Sequence, residues 1–280
     1  MPASPHSALP AKLTLPDGGG IRPPLKWAGG KRWLVPHLRK IWEEHNHRRL
    51  VEPFCGGLAV ALGLLPENAL LNDINPHAIN LYNQLKAGLK IKLPMHNEAD
   101  FYYASRQEFN SLITSGKADT SQAAALFYYL NRTGYNGLCR FNKQGEYNVP
   151  FGTYAKINYR VDFTAYKQIF HLWEFTASDF QQVELFPDDF VYADPPYDVD
   201  FTQYAKEGFT WQDQVRLAEC LAQHPGPVVL SNQATKRICT LYKKLGFRLT
   251  FLSGPRRISC TGDRTAAKEV LATRGICSGC

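Results

Sequence analysis

Asp194, Pro195, Pro196 and Tyr197 follow the apolar run at 190–193 without a break, so a carboxylate, a rigid turn and an aromatic ring stand where a strand should meet solvent. In an open α/β sheet, ligands sit beyond the carboxyl ends of strands. Two consecutive prolines leave carbonyl oxygens with no neighbouring N–H donors, on a backbone of fixed φ. Asp194 and the Pro195 carbonyl can therefore accept both hydrogens of one amino group, while Tyr197 offers a face for a planar ring. An amine attached to such a ring is a poor nucleophile, because its lone pair is delocalised. Two acceptors pull it toward tetrahedral geometry and free that pair. The competing reading is an ordinary Pro-Pro turn after a strand.

A second constellation is Glu52-Pro53-Phe54-Cys55-Gly56-Gly57 with Asp73 downstream. A glycine turn after one strand lets backbone approach a ligand, and a carboxylate closing the next strand can accept both hydroxyls of a ribose. The G-x-G-x-x-G pattern of dinucleotide sites is missing, so a nucleoside without a pyrophosphate fits better than NAD. Again a bland alternative stands, in which the glycines merely make a tight turn.

The elements that must position these groups read as an interrupted α/β pattern. A strand at 49–57, a helix at 58–65, a strand at 69–73 and a helix at 76–88 give a βαβα start, hence a parallel sheet. Residues 95–175 read as helices, "DFYYASRQEFNSLI" and "SQAAALFYYLNR", followed by a hairpin around "NKQG". Alternation resumes near 176 with strands at "DFVYAD" and "GPVVLS", helices at "WQDQVRLAECLAQ" and "ATKRICTLYKKLG", and late strands at "FRLTFL" and "KEVLAT". The domain expectation is a leader at 1–22, a catalytic α/β domain from 23–90 and 176–273, an insertion at 91–175 and a tail at 274–280. "HNH" at 45–47 falls inside an expected helix and is no nuclease site.

With 280 residues, 44% hydrophobic and 20% charged, the chain has an ordinary globular composition. No apolar run approaches a membrane span. The Pro/Ala/Ser/Gly-rich start lacks a signal-peptide core, which points to reduced cysteines and a cytoplasmic location. Cys277 and Cys280 have C-x-x-C spacing without a second ligand pair, so a metal is not expected there. The net charge of +7 is concentrated in two clusters, at 26–49 and 132–160, interleaved with Tyr, Phe and Asn. That pattern fits a polyanion surface as well as a solvated basic face.

Five stretches, "LKWAGGK" (25–31), "EPFCGG", "LNDIN" (71–75), "YLNRTGYNGLCRFNKQGEYNVPFGTY" (129–154) and "DPPY", resemble the Dam-type DNA adenine-N6 methyltransferases in content and order. The resemblance spans about residues 23–273 and implies a Rossmann-like S-adenosylmethionine-dependent methyltransferase domain with a mostly helical target-recognition insertion. It implies methyl transfer from S-adenosylmethionine to N6 of a flipped-out adenine in double-stranded DNA, leaving S-adenosylhomocysteine, without metal or covalent intermediate. Carried over by motif, Trp27, Lys31, Phe54, Gly56, Asp73 and Asp194 bind the cofactor, and Asp179 meets its adenine. Asp194, Pro195, Pro196 and Tyr197 form the catalytic clamp. Lys26, Tyr135, Asn136, Leu138, Arg140, Pro150 and Tyr154 contact DNA, with Arg140 and Lys26 on the guanines of GATC and Tyr135 wedged into the stack. Two further readings remain at this stage. One is an RNA or protein-amide methyltransferase with the same clamp, the other a DNA-binding protein without catalysis. A cognate restriction endonuclease as partner and the oligomeric state are left open.

Overall fold

The computed structural model describes residues 21–198, 208–254 and 267–276. Cys277 and Cys280, and nearly all of the leader, lie outside them. A seven-stranded sheet organises the chain, built from β1 (Leu50–Glu52), β2 (Ala69–Asn72), β3 (Trp173–Thr176), β4 (Phe190–Ala193), β5 (Val228–Gln233), β6 (Arg248–Gly254) and β7 (Ala267–Arg274). Their spatial order is β3-β2-β1-β4-β5-β7-β6. The first five are parallel, and β7 runs antiparallel between β5 and β6.

The central strands β1, β2 and β4 are buried at every residue, as expected when helices cover both faces of a parallel sheet. Alternate residues feed two cores. Leu50, Leu71, Phe190 and Tyr192 face one side, and Val51, Leu70, Val191 and Ala193 face the other. Helices α3 (Pro76–Ala87), α4 (Ala99–Thr114) and α5 (Ser121–Thr133) build the first layer; α7 (Trp211–Gln223) and α8 (Lys236–Lys244) build the second. Local chemistry fixes their ends. Asn75 caps α3 by accepting from the His77 and Ala78 amides, Pro76 occupies the first turn, and Gly88 at φ 97° closes it. Thr210 and Asp213 form a reciprocal capping box on α7.

Three expectations need correction. The helix at 58–65 shrinks to α2 (Ala61–Leu64), because Leu58 and Leu65 both adopt left-handed backbone, at φ 64° and 52°. The HNH letters are not helical: α1 (Val35–Trp42) ends before them and 45–47 form a turn. The sheet also resumes earlier than residue 176, since β3 begins at Trp173, preceded by the short α6 (Thr164–Ile169). The hairpin after α5 is held by isolated bridges rather than continuous strands, pairing Phe141 with Tyr147 and Gly134 with Phe151. Its turn closes where the Gly145 amide donates to the Asn142 carbonyl at 2.9 Å. Among the described residues no helix is long and apolar enough to cross a membrane.

Candidate active site

Strands β1 and β4 are neighbours whose outgoing chains turn to opposite faces, so a crevice opens beyond their carboxyl ends. "EPFCGG" leaves β1 and "DPPY" leaves β4 at this crevice. The sheet order alone brings together two motifs far apart in sequence.

On the β1–β2 side the glycine turn and Asp73 form one unit. The Gly56 amide donates to Asp73 Oδ2 and the Asn75 amide to Oδ1, each at 2.9 Å. Burial raises the Asp73 carboxyl above its ordinary value, and these two amides pull it back. Tyr82 of α3 donates its hydroxyl to the Gly56 carbonyl at 2.6 Å, pinning the turn from beneath. Gly56 adopts φ 46°, and a Cβ there would lie 2.6 Å from the indole nitrogen of Trp27. Trp27 thus lies directly against the turn, and Gly57 is equally crowded by the Trp27 Cβ at 2.7 Å.

Asn72, fully buried, ties the ends of three strands. It donates to the Pro53 and Ser178 carbonyls and accepts from Thr176 and from both the amide and hydroxyl of Ser178. Ile74 beside it is 71% exposed, an apolar side chain presented at the crevice rim. Phe54 packs against Phe180 and Phe209, both at 5.5 Å between centroids. Asp179 is not free to serve a ligand alone. Arg216 grips both its oxygens at 2.9 Å, and the Gln181 amide donates to Oδ1 at 3.0 Å. A carboxylate has about four acceptor positions, so one remains.

On the β4 side, Asp194 receives Lys31 Nζ at 3.1 Å and the Ser231 hydroxyl at 2.7 Å. Ser231, on β5, is in turn hydrogen-bonded to the Tyr192 hydroxyl at 2.9 Å. Desolvation pushes the Asp194 carboxyl up, opposed chiefly by the Lys31 charge. The Lys31 ammonium also donates to the Gly29 carbonyl at 3.0 Å and lies 4.4 Å from the centre of the Tyr197 ring. Pro195 is buried; the Pro196 carbonyl is occupied by the Gln214 amide of α7 at 2.7 Å. That bond holds the turn and leaves the acceptor beside Asp194 to Pro195.

Sequence reasoning did not single out Ser231, Gln214 or Ile74, or pick Glu52 from its motif. Glu52 ends β1 fully buried near Asp194, and its carboxyl is driven well above the ordinary range, first by desolvation and then by the Asp194 charge. Its Oε1 meets no hydrogen-bond donor among the described residues. An apolar strand that ends in a carboxylate was the available signal.

The insertion residues gather beside this crevice on the segment after α5. Tyr135 is 49% exposed, and Asn136 adopts φ 51°. The Tyr135 amide donates to the Pro150 carbonyl at 2.9 Å, and Tyr154 reaches the Gly134 carbonyl at 3.0 Å. Leu138 is half-buried against the main core. Arg140 is held across the hairpin by Asn148, Nε to the side-chain oxygen at 2.7 Å and Nη2 to the carbonyl at 3.0 Å. Lys26 is tucked inward, donating to the Arg132 carbonyl at 2.8 Å with its ammonium 3.7 Å above the Tyr154 ring. Burial, with Arg132 nearby, lowers its pKa to about 8. Asn131, wholly buried, exchanges both hydrogen bonds with the Lys26 backbone. Arg132 is bonded through its guanidinium to the Asn158 carbonyl. The contiguous segment 26–31 therefore joins the insertion, through Lys26, to the clamp, through Lys31.

Residues 27–253 match the family described as D12 class N6 adenine-specific DNA methyltransferase. The chain is 36% identical over 270 residues to the retron Ec67 DNA adenine methylase of Escherichia coli, covering 90% of each chain. It is 36% identical to a DNA adenine methylase of Vibrio cholerae, covering 89% of this chain and 94% of the other. With the DNA adenine methylase of Escherichia coli K12 it shares 35% identity, over 89% of this chain and 93% of that one.

Proposed function

This chain belongs to the D12 class N6 adenine-specific DNA methyltransferases, and from that membership we propose that it methylates N6 of adenine within GATC in duplex DNA, using S-adenosylmethionine. The observation that carries this reading is the meeting of two half-sites at one crevice. Gly56 and Asp73 stand on one side, and Lys31, Asp194 and Tyr197 stand on the other.

The crevice suits an adenosyl amino acid. Asp73 presents a carboxylate already oriented by two amides, Gly56 provides an edge without a side chain, and Ile74 an exposed apolar surface. The orphaned Oε1 of buried Glu52 suits an ammonium group. When bound, S-adenosylmethionine supplies an electrophilic methyl on a sulfonium. The protein's part is orientation. Asp194 and the Pro195 carbonyl accept the two N6 hydrogens of an adenine turned out of the duplex, and Tyr197 stacks on its ring. Lys31 and Ser231 hold the two Asp194 oxygens, so the carboxylate enters the reaction in one rotamer. Asp194 acts as an orienting acceptor and receives a proton only after N6 has acquired its methyl group. The hairpin presents Arg140 for the O6 and N7 edge of a guanine.

Incubating the purified protein with methyl-labelled S-adenosylmethionine and duplexes carrying GATC, or the same site with one base pair changed, tests the reading. Label should appear as N6-methyladenine, dependent on the intact site. Label distributed equally over all duplexes would refute the GATC assignment, and no label in any duplex would refute the activity.

A further inference from the structure

Glu269 lies on β7 opposite Gln233 of β5, in the strand pair that also carries Ser231. It is 7% exposed. Space for its carboxylate exists only because β6 ends in glycine: a Cβ on Gly254 would lie 2.6 Å from Glu269 Oε1 and 3.0 Å from the Trp33 ring. Its other oxygen, Oε2, and the hydroxyl of Tyr197 are both buried, and neither completes a hydrogen bond among the described residues. Each is nevertheless the polar group that the other faces, and the carboxylate also feels Lys31 and Asp194. A buried hydroxyl beside a buried carboxylate oxygen, both unsatisfied, is costly unless a small adjustment joins them.

We propose that Glu269 is a positioning residue for the target base: it receives the Tyr197 hydroxyl and so fixes the plane of the ring on which the adenine stacks. Tyr197 is then gripped at two places, by the Lys31 ammonium over one face and by Glu269 at the hydroxyl tip. The remaining face is left to the base. This inference rests on the reading of Tyr197 as the stacking platform, and it assigns the tyrosine hydroxyl a role that the ring alone would not need. It also accounts for a carboxylate in a strand whose neighbours Val270 and Leu271 are core residues.

The experiment compares Tyr197→Phe, Glu269→Ala, Glu269→Gln and the Tyr197→Phe/Glu269→Ala double variant on one duplex substrate at saturating cofactor. Tyr197→Phe and Glu269→Ala should each lower kcat roughly ten- to hundredfold, the scale of a slightly misplaced reacting group. Cofactor affinity should not move in either. The double variant should be no slower than the worse single one, because both remove the same bond. Glu269→Gln keeps an acceptor oxygen and should recover most of the turnover. A second route to the same displacement is Gly254→Ala, which should reproduce the loss while leaving Glu269 in place. Multiplicative losses in the double variant would overturn the proposal. So would a Glu269→Gln variant as slow as Glu269→Ala with weakened cofactor binding, since that marks a charge partner of Lys31. A wild-type protein that labels no duplex would instead strike at the proposed function, not at this inference.

Discussion

Asp194 holds its charge against its surroundings: burial drives its carboxyl above the ordinary 3.8, and Lys31 is the main force opposing that rise. An orienting acceptor works only while ionised. Turnover should therefore fall as pH drops through the raised pKa, giving an acid limb above 3.8. Removing the Lys31 charge takes away the opposing force, so Lys31→Gln at saturating cofactor should move that limb to higher pH. A limb in the same place in both proteins would show that another group sets it. Asp194→Ala should abolish transfer in a protein that still folds, because among the described residues Asp194 is the carboxylate that both Lys31 and Ser231 hold. Asp73 makes a separable contribution. Its loss should weaken S-adenosylmethionine binding by roughly 1.5–3 kcal/mol, the scale of hydrogen bonds to a charged group, and leave DNA binding without cofactor nearly unaltered. Calorimetric titration of Asp73→Ala with the cofactor decides this, and unchanged affinity would remove Asp73 from the site.

Elements place these residues by means that are only partly visible in sequence. Strands β1, β2 and β4 and helices α3 and α7 are legible because short apolar runs are punctuated by Gly, Pro and capping residues. Edge strand β3 is not: its four residues alternate buried and exposed after a long helical stretch, a pattern too short to stand out. The two motif turns are legible as well, yet their support is not. Ser231, Gln214 and Glu269 come from β5, α7 and β7, and only the strand order brings them to the β4 turn. The inward bonds of Lys26 had no sequence signal either, because Asn131 and Tyr154 become its neighbours only after the insertion folds back. The glycine turn shows how an element enforces a contact. Gly56→Ala would place a methyl 2.6 Å from the Trp27 indole nitrogen, on backbone that disfavours a side chain. Tryptophan fluorescence should shift in this variant, and cofactor binding should weaken more than in Gly29→Ala. Gly29 also has a positive φ, of 77°, but open space around it. Equal effects of the two substitutions would mean that backbone strain alone matters.

At the scale of the molecule, the α/β body and the insertion meet along α3, and this junction carries the last two predictions. Arg140 stands on the hairpin with its guanidinium braced by Asn148. Arg140→Ala should cost about 1–3 kcal/mol of discrimination at one guanine and spare cofactor affinity. Loss of a phosphate contact would instead weaken all duplexes alike and lower the salt slope. Methylation rates on singly substituted duplexes separate the two. The next residue, Phe141, stacks on His77 at 4.8 Å, and Phe109 and Phe127 of the insertion close around the same imidazole. His77 stands in the first turn of α3, just beyond Asp73 and Asn75, so one ring links the Asp73 turn to the hairpin after α5. Burial lowers its pKa from 6.5 to about 4. Between these values the unfolded chain binds a proton that the native protein refuses, so stability is fully present above pH 6.5 and declines as pH falls toward 4. At pH about 5 the loss attributable to this group is about 2 kcal/mol. His77→Phe keeps an aromatic ring among the three phenylalanines and removes the titration. Urea unfolding at pH about 7.5 and about 5 should show the wild-type protein losing that much more than His77→Phe. Parallel losses in the two proteins would mean that the imidazole is not buried as a neutral ring at this junction.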